Sequence, residues 1–248
     1  MNGLYRLKVG GLHFCVSLSF FLAIFYVLKN FWYPYPYFEN SGGWQGIKIV
    51  AGIDVVLGPL LTLVVSDSRK SIRELLMDVG VIAVFQCLAL LWGIYTLNNQ
   101  RPVAVVFWEN SFLTVPAQAL TEQDYELKSL LAFSDARPPL IYVDKSYKSA
   151  DLKKMLEVIA KENIPPHYQT WLYRPLKEHF DEIKSQKLNI DQIIAKYPDV
   201  KNQLLPIMQK HNISDIHAML YFLLQSKYSN SVLVFDQNAQ YLGYVNPE

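Results

Sequence analysis

Charge is scarce in this chain: only 18% of its 248 residues are charged and 51% are hydrophobic, whereas about a quarter of the residues in an ordinary soluble protein are charged. The formal net charge is +1 and no basic stripe is present, which excludes the electrostatic footprint of a nucleic-acid binder. Cysteine is scarcer still. The two present, Cys15 and Cys87, both fall in apolar runs, so the polar remainder cannot be stapled by disulfides in any compartment. Catalytic motifs are missing as well: there is no HExxH pair, no G-x-S-x-G elbow, no P-loop and no Rossmann glycine run. His167, His179, His211 and His217 lack any spacing suited to zinc and read as surface or satisfied histidines. Glu109, in FWENSF, reads as a turn residue. No catalytic residue, metal site or cofactor is expected.

The hydrophobic excess is concentrated in the first hundred residues, where three runs approach the roughly 20 residues needed to cross a bilayer: Gly10 to Lys29, Ile47 to Ser66 and Leu75 to Leu97. The first has a longer apolar stretch than a signal-peptide core and no small-x-small cleavage site, so it reads as an uncleaved span. Arg6 and Lys8 precede it, and Arg69, Lys70 and Arg73 lie between runs two and three, whereas the first loop carries only Lys29 and Lys48. The positive-inside rule then places the N-terminus and the second loop in the cytoplasm and everything after the third span outside. Cytoplasmic exposure amounts to a tail of about eight residues and a loop of about nine, far below the roughly 40 needed for independent folding. A cytoplasmic kinase or ATPase domain is excluded.

Two domains follow: residues 1–99, a three-helix transmembrane region, and residues 100–248, an extracytoplasmic α+β domain with a mainly antiparallel sheet. VAVVFW and SFLTV read as a hairpin turning at Glu109-Asn110. ALTEQDYELKSLLAF reads as helical, with a capping box of Thr121 and Asp124. PLIYVDK reads as a strand. SADLKKMLEVIAKEN, RPLKEHFDEIKS and IDQIIAKYPDVKNQLLPIMQKH read as helical, the last interrupted at Pro198 and Pro206. Two strands, SVLVF and QYLGYV, close the chain, and the segment before them leans to strand.

The second run contains GIDVVLGPLLTLVV, in which a carboxylate and a helix breaker stand about a turn apart. An ionisable residue in a span is costly, so Asp54 is either functional or a packing group that is protonated or paired with a neighbouring helix. Asp54, Gly58 and Thr62 are spaced by four and share one helix face. Pro59 cannot donate to the carbonyl of Val55 and should kink the helix there. Gln86, near the middle of the third run, is a plausible hydrogen-bonding partner. Asp54 and Asp78 sit at different depths, which argues against an intramembrane aspartate pair. The face is a groove for another helix, from this chain or from a partner.

These residues carry a resemblance. Gly52, Asp54, Gly58, Pro59, Leu60, Leu61, Thr62 and Leu63 look like the Gly-x-Asp-x-x-x-Gly-Pro-Leu-Leu-Thr-Leu signature of the TfpX/TfpZ type IV pilin accessory proteins, also called fimbrial assembly or pilin-specific chaperone proteins. The likeness extends over about the first 110 residues. It implies a Gram-negative inner-membrane protein, surrounded by lipid, that acts on the major pilin and supports its stability, its membrane pool or its entry into the pilus. A mechanism compatible with the sequence is lateral docking, in which the groove of the second span receives the pilin's transmembrane helix and the extracytoplasmic domain holds its head. It brings no catalytic residues. The rival readings are an envelope enzyme acting through the extracytoplasmic domain and a structural subunit of an envelope complex.

Overall fold

A computed structural model describes residues 2–145 and 149–247. The described chain divides into two compact units. One runs to Phe38 and resumes over Gly42–Asn99; the other takes Glu39–Ser41 and the described residues from Gln100 onward.

Three helices in the first unit are long and apolar enough to cross a membrane: Asn2–Trp32, Gly43–Val65 and Ile72–Gln100. The first comprises α1 (Asn2–Val27) and a π-helical end over Leu28–Trp32. It starts earlier than the apolar run because the Arg6 and Lys8 segment is itself helical. Short α2 (Tyr37–Asn40) follows the turn after it. The second span is built of α3 (Gly43–Val50), a π-helical stretch Ala51–Leu57 and α4 (Gly58–Val65). The third is α5 (Ile72–Gln100). Its start is fixed by a reciprocal capping box: Glu74 N–H donates to Ser71 Oγ at 3.3 Å, and Ser71 N–H donates to Glu74 Oε2 at 2.9 Å.

Aromatic and aliphatic packing joins these helices at one end, where Leu28, Tyr33, Phe38, Ile47, Val50 and Leu97 form a buried cluster. Tyr33 donates its hydroxyl hydrogen to the carbonyl of Leu97 at 2.8 Å, which satisfies a phenol that burial would otherwise orphan. Gly46 permits that approach, since a Cβ there would lie 2.2 Å from Leu97 Cδ2.

The second unit is a seven-stranded sheet in the order β4-β3-β1-β2-β5-β6-β7. Its strands are β1 (Pro102–Trp108), β2 (Ser111–Pro116), β3 (Leu140–Val143), β4 (Tyr173–Pro175), β5 (Leu220–Gln225), β6 (Ser231–Phe235) and β7 (Tyr241–Val245). Four pairings are antiparallel, while β1 with β3 and β2 with β5 are parallel, so the mainly antiparallel α+β expectation holds. The β1–β2 hairpin turns at Glu109-Asn110 with Glu109 at φ 57°. Alternation along the strands makes two cores. Ala104, Val106, Val115, Ile141 and Val143 pack with Leu120, Leu130 and Leu172, and a neighbouring cluster joins Tyr221, Val232 and Val234 to Val200 and Leu204. Phe107, Phe112, Phe222 and Phe235 pack edge-on or stacked against one another, and Phe180 packs against the last two.

Three local expectations are corrected. ALTEQDYELKSLLAF is not one helix: α6 (Ala117–Thr121) ends early and a 3-10 turn covers Leu127–Ala132. Thr121 donates its hydroxyl back to Gln118 O instead of capping, and Asp124 takes φ 54°, which breaks the helical path. RPLKEHFDEIKS begins as the edge strand β4, a place where Pro175 is tolerated. It becomes helical only at Leu176, in a 3-10 turn leading to α8 (Phe180–Ile183). Pro198 does separate α9 (Ile190–Lys196) from α10 (Val200–His211), but Pro206 sits inside α10 without ending it. Helix α7 (Ser149–Glu162) lies where its periodicity predicts.

Candidate functional site

Proline has no N–H, and at position 59 this decides the geometry of the second span. Over Ala51–Leu57 the helix runs in the five-residue register, with Gly58 N–H reaching Ile53 O. One step further, position 59 faces the carbonyl of Asp54 and has nothing to donate. The unmatched acceptor therefore falls on Asp54, not on Val55 as a regular four-residue register predicts. Gln86 of the third span supplies the donor: its Nε2 lies 3.2 Å from Asp54 O and 3.1 Å from Asp54 Oδ1. Gly58 makes room for that amide, because a Cβ there would sit 1.9 Å from Gln86 Nε2.

The first span closes the other side. Ser17 Oγ donates to Asp54 Oδ1 at 3.4 Å, and His13 Nδ1 is hydrogen-bonded to Thr62 Oγ1 at 2.6 Å. Ser66 donates its hydroxyl to Thr62 O at 2.7 Å. Gly10 allows close packing: a Cβ there would lie 2.6 Å from Leu63 Cγ and 3.4 Å from Pro59 O. Thr62 is wholly buried, and Gly58 and Pro59 are buried with it. Asp54, Gly58 and Gln86 thus meet in one place next to Pro59, while Thr62, about two turns further on, meets His13 of the first span. Both contacts to the polar face of the second span come from this chain's own first and third spans.

Asp54 stands at the midpoint of Gly43–Val65 and Gln86 at the midpoint of Ile72–Gln100. Asp78 lies eight residues before Gln86, about 12 Å along the helix at 1.5 Å per residue. It is paired with Lys70 at 2.6 Å. Asp54 and Asp78 do not form an aspartate pair. Nearby, Asp67 accepts from the Arg69 N–H and guanidinium, and these bonds hold its carboxyl well below the usual carboxylate range.

Sequence reasoning missed His13 and Ser17. The signal was there: Gly10, His13 and Ser17 are spaced i, i+3, i+7, a small polar stripe on an otherwise apolar helix.

In the second unit, a cleft of about 350 Å³ is lined by Pro102, Thr114, His167, Tyr168, Ser226 and Lys227. Burial holds the His167 imidazole down at about 4. A wider cleft of about 810 Å³ is lined by Phe133, Asp135, Glu178, Asp236, Asn238 and Tyr241. Asp236 Oδ1 accepts from the N–H groups of Asn238 and Gln240, each at 2.8 Å, as a turn-forming residue does. His179 is held by Glu182 at 2.7 Å and stacks on Tyr142.

No family model matches the chain, and no solved structure does. Curated relatives do. Over 104 residues, 42% of this chain, it is 38% identical to a fimbrial assembly protein of serogroup E1 from Dichelobacter nodosus, covering 40% of that protein. Over the same length it is 36% identical to the fimbrial assembly protein of serogroups C1 and C2 from that organism, covering 79% of it. The serogroup I protein is likewise 36% identical, with 40% covered. The chain therefore spans well under half the length of two of these relatives and most of the third. With the Gly-x-Asp-x-x-x-Gly-Pro signature built into an interlocked span junction, these likenesses establish that the chain belongs to the family of fimbrial assembly proteins.

Proposed function

We propose that the protein is a multi-pass inner-membrane factor of type IV fimbrial biogenesis that binds the major fimbrial subunit, the pilin, and supports its stability or its entry into the fimbria. The N-terminus and the loop bearing Arg69, Lys70 and Arg73 face the cytoplasm, and the sheet domain is periplasmic. The observation that carries the reading is the likeness to fimbrial assembly proteins at 36–38% identity. The role is non-catalytic and needs no cofactor: the polar groups of the spans hold helices together, and the domain offers a sheet with two edge strands, β4 and β7, for a subunit head. Deleting the chain should abolish surface fimbriae, and the full-length chain in mild detergent should bring down the subunit. Normal fimbriation after deletion would refute the role.

A second reading rests on the 810 Å³ cleft, whose lining includes Asp135, Glu178 and Asp236 beside aromatic residues. It is the place an envelope-modifying enzyme would act. Replacing Asp135, Glu178 and Asp236 together by their amides separates the two: unchanged fimbriation removes the enzyme reading.

A further inference from the structure

Two buried hydrogen-bond acceptors at the centre of the spans have no donor among the described residues: Asp54 Oδ2 and Gln86 Oε1. Asp54 is 7% exposed and Gln86 8% exposed, so neither group is served by bulk solvent. Both residues line a small cleft between the second and third spans, together with Ile49, Ile53, Ala89 and Gly93. Its volume, about 20 Å³, holds one water-sized group.

The chemistry of the occupant follows from what is missing. Gln86 Oε1 accepts only, and Asp54 Oδ2 accepts when its carboxyl is ionised, so the group that fits is a donor, an ammonium, hydroxyl or amide hydrogen; a carbonyl or carboxylate would add a third acceptor. The shape follows from the walls. Ile49 is 64% exposed, and α5 is buried only at Gln86 and Leu97, so the groove between these spans opens to the surroundings of the helices. Ala89 and Gly93 continue the row of Gln86 with small residues, which lets another backbone come close. At Gly93 a Cβ would make an ordinary contact with Val50 Cγ2 at 3.7 Å and meet nothing nearer.

A second copy of this chain is the rival occupant. Copies related by an axis along the membrane normal present the same residues at the same depth. Within a turn of Gln86, α5 exposes the apolar Val84, Phe85 and Leu88 and the thiol of Cys87, a weak donor. Trp92 and Tyr95 can donate, but they stand six and nine residues away, about 9 and 13 Å along the axis.

We infer that the groove between the second and third spans seats the transmembrane helix of the fimbrial subunit, which presents one hydrogen-bond donor to Asp54 and Gln86. The identity of that helix rests on the function proposed above. The seat itself rests on the two open acceptors and the open groove.

The test uses the full-length chain in membranes of cells that also make the subunit, with a diazirine side chain in place of Ile49. Gly93→Leu fills the groove from a position where a side chain meets ordinary contacts. Gly80→Leu, on the same span with nothing within 4 Å, is the control. The expected result is a cross-link from position 49 to the subunit that falls at least tenfold in Gly93→Leu and persists in Gly80→Leu, at equal levels of the protein. Cross-linking and subunit capture both unchanged by Gly93→Leu would overturn the groove while leaving subunit binding intact. Subunit captured by the wild-type chain, but no cross-link from position 49 other than to lipid or to a second copy, would likewise overturn the groove alone. No capture of subunit by the wild-type chain would overturn the proposed function, and the named occupant with it.

Discussion

Gln86 donates from a single amide nitrogen to both the main-chain carbonyl and the side-chain carboxyl of Asp54, at 3.2 and 3.1 Å. One side chain of the third span thus repairs the hydrogen bond that Pro59 removes from the second and also engages its carboxylate. Proline, glycine, acid and glutamine are parts of one junction.

Gly58 and Gln86 should behave as a coupled pair. A methyl at position 58 displaces the end of a flexible side chain, not backbone, so Gly58→Ala should leave the helix in place and cost the amide contact. Gly58→Ala and Gln86→Ala should each lower stability in detergent by about 1 kcal/mol. The double substitution should cost little more than the larger single one, since both remove the same interaction. Fully additive losses in a denaturation series would show that the two act separately.

Pro59 sets the need for that amide. Pro59→Ala restores an N–H which, in the five-residue register, faces Asp54 O. In this background the cost of Gln86→Ala should shrink from about 1 kcal/mol to a few tenths, because the carbonyl keeps a donor. An undiminished cost would mean that the carboxylate contact carries the whole effect.

Much of this junction was legible in the sequence, and the reasons for the rest are physical. The spacing of Asp54, Gly58 and Thr62 reveals a face because a helix repeats every 3.6 residues, and Gln86 stands out as an amide in an apolar run. The π-helical register is not legible, since it depends on what the third span can donate; the displaced carbonyl therefore fell on Asp54 and not on Val55. His13 and Ser17 follow the same periodic rule and needed only to be read with Gly10. In the second unit, the hairpin and the closing strands follow from local alternation. The edge strand Tyr173–Pro175 does not, because three residues carry no period and its pairing with β3 is nonlocal. The capping box proposed at Thr121 and Asp124 was a motif without its context, while Ser71 and Glu74 hold the same motif at a real helix start.

Acid should loosen the second unit through His167. Its imidazole titrates at about 4 in the folded chain against 6.5 unperturbed, because burial disfavours the charged form. The unfolded chain thus binds the proton more readily, and stability falls as pH drops from about 6.5 towards about 4. Thermal unfolding of His167→Gln should show a flatter decline over that window than the wild-type chain. Identical pH profiles would contradict the assignment.

Gln203 pins the end of the edge strand β7, donating to Asn246 O at 2.9 Å and accepting from Asn246 N at 2.8 Å. Gln203→Ala should cost about 1 kcal/mol for two partly exposed hydrogen bonds. It should also raise amide exchange at Val245 and Asn246 while leaving β1 and β2 protected. Unchanged exchange at the strand end would remove Gln203 as its brace.

The central claim is that this chain acts on the fimbrial subunit within the membrane. The most direct measurement is recovery of the major subunit with the full-length chain, solubilised in mild detergent from cells that encode both. The account predicts that the subunit is recovered with the wild-type chain and that recovery drops several-fold when Asp54 and Gln86 are both replaced by alanine at equal expression. Absence of the subunit from the wild-type preparation, with the chain intact and folded, would contradict it.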